Sequence, residues 1–221
     1  GDVGATRVVD VGVQTAAAAA LSDLAKGDED MQDTIIEEGG VTPLLALVRF
    51  GSPEAQEHAA RAIWALAAST DNQDVLVENG CIPELVTLIR DGSTASQEVA
   101  AAVLKDLAHG AVQTLGARGG EPLTSPPPTR PSQMAGQEGD ASAASAEAGE
   151  HQGSAAAGRV SGETAGGDTR LSEIAAAGGI LPLVTLLGSG TPMGKERAAG
   201  ALWHLTMDLT NQQAIAKAGG I

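Results

Sequence analysis

Cysteine is almost missing from this 221-residue chain: Cys81 stands alone, so no internal disulfide can form. No charged, then apolar, then small-residue leader opens the sequence. Both features lead us to expect a reduced, intracellular protein of the cytoplasm or nucleus. Long hydrophobic runs are missing as well. The longest candidate, the alanine tract from Ala16 to Leu21, falls far short of the ~18 apolar residues of a membrane span, so no transmembrane segment is expected. Aromatic rings are scarce, with two Trp, one Phe and no Tyr, and bases are outnumbered by 28 acids to 13. A formal charge of −15 repels phosphate backbones, and few rings are left for bases to stack on. Nucleic acid is therefore excluded as a partner class.

What the chain does have is apolar content, 43% of its residues, enough for a buried core. It also has a period. The stretch Gly39-Gly40-Val41-Thr42-Pro43-Leu44-Leu45-Ala46-Leu47-Val48-Arg49 returns 41 residues later as Gly80-Cys81-Ile82-Pro83-Glu84-Leu85-Val86-Thr87-Leu88-Ile89-Arg90. The alanine-rich stretch Glu57 to Ala67 matches Glu98 to Ala108 at the same offset, without a gap. A third copy, Gly178 to Leu187 followed by Glu196 to Leu205, lies 139 residues beyond the first. Partial copies, Gln14 to Ala25 and Asn211 to Ile221, flank these, so the chain is expected to begin and end inside a repeat.

Each unit reads as three helices. A short first helix, such as Val75 to Glu78, stops at a glycine able to take the left-handed conformation. A second, Leu-rich helix follows. Ser52-Pro53 and Thr191-Pro192 then set a hydroxyl at the N-cap and a proline at the first position of a third helix. In it Ala59, Ile63, Leu66 and Ala67 share one face at helical spacing. One unit cannot bury such a stripe alone, so consecutive units must stack around a shared core.

The second and third copies lie 98 residues apart, 57 more than one period. The surplus falls at 111–168, which carries Pro126-Pro127-Pro128 and few large aliphatic side chains. Disorder is expected there. The domains are therefore read as repeats over 1–110, a disordered insert over 111–168 and repeats over 169–221, stacking on the first block. Two origins for the insert stay open, a natural insertion or a gene-model error such as translated intron sequence, and comparison with the transcript decides between them. Charge is uneven too: −12 over 1–110, −4 over 111–168 and +1 over 169–221.

The glycine turn, the Leu-rich second helix and the Glu-x-Ala-Ala-x-Ala-Leu-x-x-Leu third helix resemble the armadillo repeat family. The resemblance covers residues 14 to 110 and about 170 to 221. It implies an all-α fold, a right-handed armadillo-type solenoid whose third helices line a concave side, and a non-catalytic scaffold that holds an extended segment of another protein. Importin alpha proteins present Trp, and Asn four residues later, from each third helix. Those slots here hold Ala19, Arg61, Ala102 and Gly200, then Asp23, Ala65, Asp106 and His204. Neither ladder is present, which counts against nuclear import. Beta-catenin-type grooves are basic, whereas Asp23 and Asp106 with Glu57 and Glu98 nearby suit a basic or polar extended partner.

The residues expected to meet that partner are Asp23, Arg61, Trp64, Asp106, Trp203 and His204. Trp64 and Trp203 share one repeat position and can either clamp a ligand or cover the seam between units. Asp23 and Asp106 can either pair with ligand cations or form a solvated face. No cofactor, metal site or catalytic residue is expected: the histidines are spread over three units, and Cys81 has no neighbouring ligand in sequence. The run Gly188 to Glu196 lacks the first Gly and the hydroxyl of a phosphate loop. The alternative reading is a substrate-recognition piece of a larger protein, such as a U-box ubiquitin ligase. A nuclear-import adaptor comes third.

Overall fold

A computed structural model describes the backbone of residues 3–119 and 166–220, and the side chains of 11–116 and 170–220. Within them every regular element is a helix. A first helix, α1 (Val3–Leu24), precedes three units: α2 (Glu29–Glu37), α3 (Val41–Phe50) and α4 (Pro53–Leu66); α5 (Thr70–Glu78), α6 (Cys81–Asp91) and α7 (Thr94–Gly119); α8 (Gly166–Ala176), α9 (Ile180–Ser189) and α10 (Pro192–Leu205). A last helix, α11 (Leu209–Lys217), opens a further unit. None of them alone is long and apolar enough to cross a membrane.

The boundaries follow from local chemistry. Ser52 Oγ accepts from the Ala55 amide at 3.2 Å, and Thr191 Oγ1 from the Gly194 amide at 3.1 Å, each with proline opening the helix behind it. Such caps are worth about 1 kcal/mol each. Gly80 (φ 78°) joins α5 to α6 in the left-handed region, a conformation that costs other residues roughly 1–2 kcal/mol. The first helices are longer than the sequence pattern indicates, because Thr70 to Gln73 add a turn before Val75.

Stacking follows the repeat. α1 packs on α4, α4 on α7 and α7 on α10, so the third helices form a ladder. The second helices α3, α6 and α9 form another beside it, each in contact with its neighbour. The stripe Ala59, Ile63, Leu66 and Ala67 is fully buried, as are its counterparts Ala100, Leu104, Leu107 and Ala108. Leu44, Leu85 and Leu183 occupy one position of the three second helices, all wholly buried. Each removes enough apolar surface from water to contribute about 1.5–3 kcal/mol. Alanine along α4 and α7 lets these helices approach closely, so one continuous core runs from Ala18 to Ile215.

The two repeat blocks share that core, since α8 and α10 pack on α7 and α9 on α6. One boundary differs from expectation. α7 runs past Gly110 to Gly119, so the first nine residues assigned to the insert are helical. The helix-forming run Ala111-Val112-Gln113-Thr114-Leu115 has no breaker after Gly110, and Ala111 is buried. At the other end α8 already begins at Gly166. The expectation of disorder over the remainder, residues 120 to 165, lies outside the described residues.

Candidate functional site

The third-helix ladder brings several of the expected residues together. A cavity of about 740 Å³ opens between the turn that joins α1 to α2, α2 itself, α4 with the turn after it, and α7. Trp64, Ala65 and Ala68 provide its apolar wall, and Lys26, Glu29, Gln32, Arg61, Ser69 and Asp106 its polar lining. Of the six residues that the sequence singled out, Arg61, Trp64 and Asp106 line it; Asp23, Trp203 and His204 do not.

Of the two roles that the sequence offered for Trp64, the structure shows the tie across a seam, and it leaves part of the ring open. Its indole N–H donates to Asp106 Oδ2 at 2.8 Å, tying α4 to α7, yet 37% of the residue stays exposed. The Arg197 guanidinium of α10 lies 4.8 Å from the centre of its ring, a cation–π distance. Asp106 is thus partly engaged: one oxygen holds the indole, and Lys105 Nζ stands 3.5 Å from the other. Arg61 pairs with Glu57 one turn earlier on α4. Asp23 pairs with Lys26 at 2.7 Å, which holds its carboxyl below the usual range through that hydrogen bond and the lysine's charge.

The C-terminal members behave differently. Trp203 is 60% exposed, with its ring centre 4.7 Å from that of His204. His204 is turned inward and only 6% exposed, so it offers no surface to a partner. Its Nδ1 lies 2.8 Å from the Gly200 carbonyl oxygen, which can only accept, so Nδ1 carries the proton. Nε2 of the neutral ring then accepts from His109 Nδ1 at 3.0 Å, and His109 Nε2 in turn accepts from Gln113 Nε2 at 2.6 Å. Burial, chiefly, pushes the His204 pKa down, and the nearby His109 and Lys105 add to the effect; the Gly200 carbonyl and Asp106 oppose it. His204 is a joint between α7 and α10.

Sequence reasoning passed over three residues that matter here. Gln32 and Gln73 sit 41 residues apart, both buried, and each donates its amide to the last carbonyls of the preceding third helix: Gln32 to Ala25 at 2.9 Å, Gln73 to Ala67 at 2.8 Å. Arg170 on α8 is 3% exposed, with Nη1 donating to Gln73 Oε1 at 2.8 Å and Nη2 paired with Asp74. The signal for the glutamines was the repeat itself, since Gln recurs at that position in Gln212, which also reaches back, to Thr206 O at 2.8 Å.

The groups gathered at this site can donate and accept hydrogen bonds, carry charge of both signs and offer a ring face. Among the described residues no three His, Cys, Asp or Glu side chains come together to hold a metal ion. Cys81 is fully buried, and burial pushes its thiol up to about 12, so it stays protonated and unreactive at neutral pH.

Comparison with known proteins agrees with the architecture. Three engineered proteins with crystal structures are similar to this chain. The first is 23% identical with a TM-score of 0.64, over 95% of this chain and 63% of the other. The second is 23% identical with a TM-score of 0.63, over 95% and 38%. The third is 19% identical with a TM-score of 0.64, over 96% and 65%. This chain therefore spans between about a third and two thirds of their lengths. No curated protein sequence matches it. The family model described as armadillo/beta-catenin-like repeat matches residues 28–68, 69–109 and 172–207, together more than half of the chain. With three matched repeats in the units that the structure delimits, the chain belongs to the armadillo/beta-catenin-like repeat family.

Proposed function

We propose that the protein is a non-catalytic interaction module that binds an extended segment of a protein partner along its third-helix ladder. The observation that carries this reading is the cavity beside Trp64, where a half-exposed indole, two alanines and four charged side chains meet on one face. Such a surface suits shallow, repeated contacts with a peptide backbone and its side chains. Its chemistry favours a basic or polar partner: residues 1–110 carry a charge of −12, and Glu29 and Asp106 face the cavity. Long-range attraction of this kind speeds encounter and fades with salt. The reading also carries the expectation of an intracellular compartment, cytoplasmic or nuclear.

Selection of random linear peptides against the whole chain tests it. Enriched sequences should carry net positive charge, bind more weakly as salt rises from 50 to 500 mM, and lose at least tenfold in affinity against Trp64→Ala. A selection that yields no linear binder, or binders indifferent to Trp64→Ala in a protein whose circular dichroism is unchanged, overturns the reading.

A further inference from the structure

The third helices α1, α4, α7 and α10 correspond position by position, at successive offsets of 42, 41 and 98 residues. The inner two are covered on both sides, and the outer two are not. Leu24 of α1 is 50% exposed, whereas Leu66, Leu107 and Leu205 at the same position are wholly buried. Val13 is 62% exposed where Ala55 is sealed, and Ala17 lies open where Ala59, Ala100 and Ala198 are sealed. At the far end α10 is open on its other side. Ala199 is exposed, although Ala18, Ala60 and Ala101, each with a third helix following, are fully buried. Leu187 of α9 is half-buried where Val48 and Ile89 are buried. Among the described residues α1 thus lacks the cover of a preceding third helix and of a second helix in its own unit, and α10 lacks the cover of a successor.

We infer that these two faces bind each other between copies of this chain, head to tail, with α1 of a second copy stacked on α10 as α10 stacks on α7. Register is the first reason for choosing a second copy. Within the chain, Trp64 of α4 donates its indole N–H to Asp106 of the next third helix at 2.8 Å. Trp203 holds the Trp64 position on α10, with its ring 60% exposed, and Asp23 holds the Asp106 position on α1. Stacking in the ladder's own register therefore sets Asp23 of the second copy beside the Trp203 indole. The ion pair of Asp23 with Lys26 is no obstacle, since both side chains are largely exposed and such pairs hold weakly in water. Charge is the second reason. Residues 1–110 carry −12 and residues 169–221 carry +1, so a head meets a tail without the repulsion that two heads would suffer. Because the two faces differ, each pair of copies keeps one of each free, and further copies add in a row. The ladder then continues from chain to chain, which goes beyond the binding of a peptide and does not depend on it.

Sedimentation velocity on the whole chain, from micromolar to millimolar concentration, tests it. The average mass should rise with concentration past that of two chains. Leu24→Glu closes the α1 face and Ala199→Glu the α10 face, and each variant alone should stay monomeric. Both residues are exposed in the single chain, so the circular dichroism of each variant should match the parent. An equal mixture of the two variants is decisive, because it restores one intact contact: it should form a pair of chains and grow no further. Trp203→Phe and Asp23→Ala should each weaken association about fivefold, the worth of one hydrogen bond, and together no more than either alone. A parent chain that stays monomeric throughout, a glutamate variant that still associates, or a mixture that stays monomeric overturns the head-to-tail contact. Losses from Trp203→Phe and Asp23→Ala that multiply overturn the register proposed for it.

Discussion

The seam between the first two units and the seam between the second and third are built from the same helices, yet they are fastened differently. At the first, crossed by a short link, the polar ties are slack or exposed: Asn72 to Asp33 at 3.4 Å, Arg49 to Glu84 at 3.5 Å, and the Trp64 indole on Asp106. At the second, where the chain carries 57 extra residues, a buried Arg170 grips Gln73 and Asp74, the Thr191 hydroxyl donates to Glu98, and His204 joins His109. Lengthening a link this much costs on the order of 2–3 kcal/mol, because loop-closure entropy grows only with the logarithm of length. A charged, geometrically specific contact can offset that much. Side-chain fasteners thus take over where covalent nearness is weakened, and they also fix the register that a long link leaves free.

Arg170 is where this contrast is easiest to break. Arg170→Met keeps much of the volume but strands the buried Gln73 oxygen, while Asp74, 59% exposed, falls back on water, so a loss of about 2–3 kcal/mol is expected. Asn72→Ala, at the same repeat position on the other seam, should cost about 1 kcal/mol. Urea unfolding followed by circular dichroism measures both. Equal losses would mean that the two seams do not differ in the way described.

The next effect is steric. Gly110 lies on α7 against Gln73, and a Cβ there would overlap Gln73 Oε1 and crowd Arg170 Nη1 at 3.2 Å. That amide cannot swing aside cheaply, since its nitrogen is held by the carbonyls of Ala67 and Asp106. Gly110→Ala is expected to destabilise by about 2 kcal/mol, in the range for overpacked interiors. Ser69 is its counterpart 41 residues earlier, and its side chain makes no capping bond. Ser69→Ala should change stability by less than about 0.5 kcal/mol.

Much of this organisation is legible in the sequence, and the reason is physical. Helix type, order and stacking depend on apolar spacing and on punctuation by glycine, proline and hydroxyls, all of which recur visibly at 41 residues. Ser52, Thr191 and Gly80 do what their spacing says. The site is legible only in part. Arg61, Trp64 and Asp106 converge because one helical face repeats, but whether a charge is free depends on neighbours across a seam. Asp106 is shared with Trp64, and His204 is turned toward α7, held between the Gly200 carbonyl of its own helix and His109. Arg197 over Trp64 joins units one and three, a separation that no single-repeat pattern displays.

The two tryptophans sharpen the comparison further. Trp64→Phe removes the N–H that bonds Asp106 and also shrinks the ring under Arg197, so a loss of about 1–2 kcal/mol is expected. Trp203→Phe removes an N–H from a largely exposed ring and should fall within about 0.5 kcal/mol of the parent. Matching losses from the two changes would show that the indole bond across the first seam is not a fastener.

The smallest effect concerns pH and belongs to the second seam alone. His204 accepts from His109 only while its Nε2 is unprotonated, and its folded pKa lies below the ordinary 6.5, chiefly through burial and also through the charges of His109 and Lys105. The unfolded chain therefore binds the proton more readily than the folded one. Stability from this group is complete above about pH 6.5 and declines as pH falls below that value, levelling off once the folded pKa is passed. His204→Gln should flatten the decline between pH 6.5 and 5 in urea midpoints, whereas His58→Gln, on α4 and outside the α7–α10 joint, should leave it unchanged. If His58→Gln flattens the curve instead, the titrating group belongs to the first seam and the assignment of the joint to His204 is wrong.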